Sequence, residues 1–208
     1  MTAAASETLL IATSNQGKFR EFQSLLPDEL TLLSLNDLDL KLPPENGTTF
    51  AKIAATKALT AAKQTRYLTL ADDSGLCVAV LDGAPGIRSA RFAGDGASDA
   101  ENRALLLERL NGIPPALRGA SFICALALAG PNGLIAETTG ECHGTIGTEE
   151  IGQHGFGYDP IFRLTDGRTF AELEPHEKHE ASHRADACKQ IIPLLNHYLQ
   201  ITPREGSR

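Results

Sequence analysis

The sequence predicts a mixed α/β chain (α+β), built as one domain over residues 1–208. Three observations predict it. Helix-like and strand-like patterns intermix along the whole length, with no internal repeat and no low-complexity linker. The run Ser121 to Ala129, SFICALALA, is apolar at both parities, as in a central strand covered on two faces. Near the start, the apolar run Leu9 to Thr13 passes through a polar turn straight into a helical pattern, which is a strand–loop–helix step.

Taken in order, Leu9 to Thr13 is the first strand. Ser14 to Gly17 is the turn, and Lys18 to Leu26 is a helix with Phe19, Phe22, Leu25 and Leu26 at helical spacing, closed by Pro27 and Asp28. Leu30 to Leu35 is a second strand, and Leu42 to Gly47 a Pro-containing loop carrying Glu45. Thr48 to Gln64 is an alanine-rich helix with Thr48 or Thr49 as N-cap. Leu68 to Ala71 is a strand that stops at Asp72, Asp73, Ser74 and Gly75, ordinary turn residues. Ser98 to Leu110 is a helix opened by a Ser98–Glu101 capping box. Ser121 to Ala129 and Leu134 to Thr139 or Thr145 form an antiparallel hairpin around Pro131-Asn132-Gly133. Gly147 to Asp159 is a glycine-rich loop, Ile161 to Leu164 a short apolar run, and Ser182 to Leu199 the last helix, kinked or broken at Pro193. The tail from about residue 202 is expected to fray.

The formal net charge of −7 argues against a nucleic-acid partner, which would want a basic face. No apolar run reaches membrane-spanning length, so no membrane partner is expected. The first ten residues have no basic n-region and no long apolar core, and Cys77, Cys124, Cys142 and Cys188 are far apart without a CxxC. Reduced, mostly buried thiols in a cytoplasmic protein are therefore expected.

Three constellations could carry chemistry. Glu45, Asp72 and Asp73 are carboxylates in or beside turns. Two adjacent acids raise each other's proton affinity unless a cation intervenes, and Mg²⁺ takes such oxygen ligands together with substrate phosphates. Lys18 stands at a helix start whose backbone N–H groups attract anions. In GFGYDP, Gly155 to Pro160, Phe156 and Tyr158 either offer a flat face to a base or plug the core beneath the loop. A fourth pattern, His179 to His183, spells HExxH, but Ser182 reads as an N-cap that leaves His179 outside the following helix, so a zinc peptidase is disfavoured.

Five segments in order, TSNQGK (Thr13 to Lys18), ENGTTF (Glu45 to Phe50), ADDSGL with GAPGIRSAR (Ala71 to Arg91), GFGYDPIF (Gly155 to Phe162) and EKHEASHR (Glu177 to Arg184), resemble the inosine triphosphate pyrophosphatase family, the Ham1-like dITP/XTP pyrophosphatases. The resemblance implies an elongated two-lobed fold with a central mixed sheet, a nucleotide cleft between lobes, a homodimer, and Mg²⁺-dependent hydrolysis of ITP, dITP and XTP to monophosphate and pyrophosphate. It assigns Thr13, Ser14, Asn15, Gln16, Gly17, Lys18 and Lys57 to the phosphates and Ser74 to a substrate contact. Glu45 and Asp73 are assigned to the metal, Asp73 also as proton acceptor. Phe156, Gly157, Tyr158, Asp159, Lys178, His183 and Arg184 are assigned to the base pocket, the last two and Lys178 as donors to a 6-oxo group. A Maf-like nucleotide pyrophosphatase and a non-catalytic nucleotide-binding protein are the competing readings.

Overall fold

The computed structural model describes residues 8–42 and 46–199; Glu45 and the tail from residue 202 lie outside the described residues. One six-stranded mixed sheet runs through the molecule. Its strands are β1 (Thr8–Ile11), β2 (Thr31–Ser34), β3 (Leu68–Val78), β4 (Gly119–Gly130), β5 (Gly133–Ile146) and β6 (Phe162–Arg163), in the order β2-β1-β3-β4-β5-β6. β1 is parallel to β2 and β3; β3, β4, β5 and β6 pair antiparallel. Five helices flank it: α1 (Gln16–Leu25), α2 (Phe50–Thr65), α3 (Asp99–Arg109), α4 (Pro175–Ala181) and α5 (His183–Leu199).

The expected elements are present, except that α5 continues through Pro193 without a break; the N-caps show why the helices begin where they do. Asn15 caps α1, Thr49 caps α2, and Ser98 forms the full capping box with Glu101 on α3. The substantive difference lies at Asp72–Gly75. The expectation of a turn there is wrong: β3 continues through all four residues, because β4 supplies an unbroken ladder opposite them, from Asp72↔Leu126 to Gly75↔Ile123. Turn propensity is a local preference, and a full set of cross-strand hydrogen bonds overrides it.

Alternation along β4 explains the layering. Cys124, Leu126 and Leu128 face a core shared with α1 and α5, including Phe22, Leu26, Ile191 and Leu195. Ala125, Ala127 and Ala129 face α2, where Ala54, Ala58, Ala61 and Ala62 answer them. Small residues on both sides let α2 lie close on the sheet. Further along the same strands, Leu76, Val78, Phe122, Phe162 and Phe170 build another apolar cluster. β3, β4 and β5 are 11, 12 and 14 residues long and carry both ends of the molecule. β1 ends at Ile11 beside Leu70, and beyond it β3 continues without that neighbour, leaving a cleft at the carboxyl end of the parallel strands. Ligand sites in α/β sheets form at such ends.

Candidate active site

Residues in a strand alternate between faces. Asp72 and Asp73 are therefore neighbours in sequence that point to opposite sides of the sheet, and they do not form the like-charge pair the sequence suggested. Asp72 follows Leu70 onto the α1/α5 face; Asp73 follows Ala71 onto the α2 face. Their surroundings differ accordingly.

Asp72 is buried and saturated with donors. Lys18 Nζ bonds Oδ1, and Arg184 donates to Oδ2 from Nε at 3.2 Å and from Nη2 at 3.0 Å. Ser74 Oγ donates at 3.2 Å and Cys124 Sγ at 3.1 Å. Burial alone would raise the Asp72 carboxyl, but Arg184 and then Lys18 outweigh it and hold it well below the usual carboxylate range. Burial and the Asp72 carboxylate push the Cys124 thiol up, so it stays protonated.

Arg184, 1 % exposed, is the centre of this network. Besides Asp72 it donates to Glu21 through Nη1 and to Ser74 Oγ at 2.8 Å through Nη2. Four of a guanidinium's five donors are thus engaged. The expected role of Arg184 as a reader of the base is narrowed to at most one N–H, and its immediate task is to hold two buried carboxylates. Glu21, which sequence reasoning missed, also takes an ion pair from Lys178 Nζ at 2.7 Å. Desolvation opposes its ionisation, yet Arg184 and Lys178 bring its carboxyl down to about 2. Only one signal pointed to it, an acid directly before the buried Phe22 of α1. Lys178 in turn bonds Asp159 Oδ2 at 2.6 Å, and burial there leaves the Asp159 carboxyl raised.

A cavity of about 1200 Å³ spans the cleft. That exceeds the roughly 300–1,000 Å³ usual for small-molecule sites. Its wall includes Thr13, Ser14, Asn15, Lys18, Lys57, Asp73 and Ser74 together with Phe156, Gly157, Tyr158, Asp159, Lys178, His183 and Arg184. The two sets expected for phosphates and for a base thus share one space. Gln16 and Gly17 stand outside the wall, in the first turn of α1. Gly17 is a packing residue, since a Cβ there would run into the Phe156 ring at 2.7 Å. The anion-attracting helix start is also less open than expected: Asn15 Oδ1 already accepts from the N–H groups of Gly17 at 2.8 Å and Lys18 at 3.1 Å. An anion there has to exchange for that cap.

Both readings of the aromatic loop are realised, one in each residue. Tyr158 is 4 % exposed, packs in the phenylalanine-rich cluster and donates its hydroxyl to Ser89 O at 2.8 Å, so its ring is chiefly a plug. Phe156 stays partly exposed, with Lys178 Nζ 4.9 Å from its ring centroid. His183 stacks on Phe122 at 4.8 Å, and burial followed by Arg184 keeps its imidazole neutral, well below the ordinary histidine range. Its buried Nδ1 makes no hydrogen bond among the described residues while the side chain lines the cavity. Ser182 caps α5 through a bond from Ala185 N–H at 3.1 Å and also ends α4. His179 lies in α4 and His183 in α5, so the HExxH histidines share no helix face.

Of the two adjacent aspartates Asp73 is the one that lines the cavity, with Lys57 Nζ 3.9 Å from Oδ1 and donating to Asp72 O at 2.7 Å. Its hard oxygen donors suit a cation such as Mg²⁺. Asp72 cannot serve beside it, being on the other face and fully engaged. Among the described residues no group of three His, Cys, Asp or Glu side chains forms a metal cluster. A cation held by Asp73 would draw its remaining ligands from water and phosphate oxygens, as Mg²⁺ commonly does.

Residues 9–194 match the model of the Ham1 family. A dITP/XTP pyrophosphatase of Desulforamulus reducens is 46% identical over 191 residues, covering 90% of this chain and 95% of that protein. One from an Exiguobacterium species is 48% identical over 194 residues, covering 90% and 98%. Among solved structures, a HAM1 protein from Coxiella burnetii superposes with a TM-score of 0.83 at 40% identity, covering 92% of this chain and 99% of that one. The Ham1 protein of Staphylococcus aureus gives 0.81 at 36%, covering 92% and 100%.

Proposed function

The chain belongs to the Ham1 family, and from that premise we infer that it is a nucleoside triphosphate pyrophosphatase, hydrolysing non-standard purine nucleotides (ITP, dITP, XTP) to monophosphate and pyrophosphate. The observation that carries this reading is one cavity whose wall holds Lys18, Lys57 and Asp73 together with Phe156 and His183. That combination of charge and aromatic character suits a triphosphate joined to a base.

In this reading Lys18 and Lys57 meet phosphate charge, and Thr13, Ser14 and Asn15 supply the surrounding hydroxyl and amide groups. Asp73, with Glu45, would hold Mg²⁺. When bound, the ion neutralises phosphate charge and makes a water nucleophilic near neutral pH. Asp73 accepts the proton of the water that attacks the α–β phosphoanhydride. The lysines offset the charge that grows on the departing pyrophosphate. At the base end, Phe156 gives a face for stacking. Neutral His183 lines the cavity, where a ring N–H would bond the 6-oxo group of hypoxanthine or xanthine and meet no acceptor on the 6-amino group of adenine. A site built on a required hydrogen bond rejects an analogue lacking it by up to about 10⁴-fold or more.

The homodimer follows from the same family premise. The four free thiols accord with a reducing, cytoplasmic setting. Purified protein given Mg²⁺ and a panel of ITP, dITP, XTP, ATP, GTP and dTTP should release pyrophosphate from the first three far faster than from the others. Equal rates across the panel would remove the purine-selective reading, and no release from any would remove the enzyme. Loss of turnover with EDTA, restored by Mg²⁺, tests the metal; sedimentation velocity tests the dimer.

A further inference from the structure

The loop carrying Phe156 is fastened from behind by α3, a helix that sequence reasoning gave no part in the site. Asp99 Oδ2 accepts the Gly157 N–H at 2.7 Å. Arg103 Nη1 donates to the Gly157 carbonyl at 2.8 Å. Asp99 and Arg103 are four residues apart, so they share one face of α3. They grip both peptide groups of a single residue, and that residue is the one between Phe156 and Tyr158. Gly157 has φ 62°, a left-handed conformation open to glycine, and this turns its N–H and C=O toward α3. Asp99 is also in the first turn of α3, where the helix dipole favours its negative charge. Arg103 Nε lies 2.9 Å from Glu150 Oε1, a charge contact rather than an aligned hydrogen bond, and so reaches the earlier half of the same loop.

On the loop's other side, Asp159 Oδ2 accepts from Phe156 N–H at 2.9 Å and from Lys178, and Tyr158 is anchored to Ser89 O. The Phe156 ring is therefore held by four fixed points, two of which belong to α3. We infer that Asp99 and Arg103 are positioning residues for base selection, acting through Gly157 to set where Phe156 stands over the nucleotide. This rests on the proposed activity and adds residues to it. Asp99 borders the cavity and Arg103 does not, so the two together separate positioning from direct contact with substrate.

The test compares Asp99→Ala, Arg103→Met, the double variant and Asp99→Asn. Either of the first two should lower kcat/KM for ITP about tenfold, chiefly through KM, with kcat within about threefold and the preference for ITP over ATP reduced by a similar factor. The double variant should cost little more than the worse single one, because both side chains hold the same loop. Asp99→Asn keeps an amide oxygen to accept from Gly157 and should recover most of the loss. Hydrogen exchange at Gly157 should quicken roughly tenfold in the alanine and methionine variants. An unchanged ITP-to-ATP ratio, an effect confined to Asp99, or a fall in kcat that tracks the melting temperature would overturn the clamp. If the wild-type protein releases no pyrophosphate from any nucleotide, the proposed activity fails instead. Exchange at Gly157 then still decides the clamp, which unaltered protection would overturn.

Discussion

The two adjacent aspartates make the sharpest test, because opposite faces of one strand give them opposite tasks. Asp72→Asn replaces a carboxylate oxygen with an NH₂ group, aimed at donors. With the NH₂ on the Oδ2 side Arg184 keeps Glu21 and Ser74 but loses two bonds, of 3.2 and 3.0 Å, while the remaining amide oxygen still accepts from Lys18; both cations lose the buried negative charge between them. Removing one member of a buried ion pair costs about 3–5 kcal/mol. A protein of this size loses about 2–4 °C of melting temperature per kcal/mol, so the variant should melt roughly 6–20 °C lower. Asp73→Asn weakens a 3.9 Å approach to Lys57 at the cavity, worth about 1 kcal/mol or less. It should melt within about 4 °C of wild type while kcat falls at least about a hundredfold. Thermal melts at pH 7 and pyrophosphate release from ITP read both. The reasoning is refuted by an Asp72→Asn protein as stable as wild type, or by an Asp73→Asn protein that turns over normally.

Three further outcomes follow from the same geometry. His183 has a folded-state pKa depressed below its unfolded value near 6.5, so its contribution is present above that pH and lost as pH falls; wild-type stability should drop by up to about 1.4 kcal/mol per unit between pH 6.5 and 5, and His183→Gln should flatten that slope in denaturant titrations. Glu21 is likewise depressed, from 4.5 to about 2, so about 3 kcal/mol should drain away as pH falls from about 4.5 toward 2, and Glu21→Gln should lose that acid dependence. In Gly140→Ala, the new Cβ would strike the backbone of His183 and Ala187 on α5, so a loss of about 3 kcal/mol should come with impaired turnover, measured by melting and pyrophosphate release.

Much of this was legible in the sequence where a local pattern coincides with a global one. The helix caps, the β4–β5 hairpin and much of the cavity lining follow from spacing, turn residues and the family motifs. What escaped was set by pairing at long range. Nothing local says that β4 keeps Asp72 to Gly75 extended, and without that strand the alternation dividing the two aspartates is invisible. Glu21 reads as a surface acid on an amphipathic helix until α5 brings Arg184 against it. Tyr158 and Phe156 look equivalent in GFGYDP, and only the φ of Gly157 and the Ser89 carbonyl send one inward and leave the other at the cavity.

The buried ion network also governs the order in which this protein can be completed. Arg184 joins Asp72 across 112 positions and Glu21 across 163. A chain emerging from synthesis therefore has Lys18 to offer Asp72 long before it has Arg184. Closing the core before α5 docks would leave Asp72 with Lys18 as its cation and Glu21 without Arg184, so the last helix acts as the latch on the assembly.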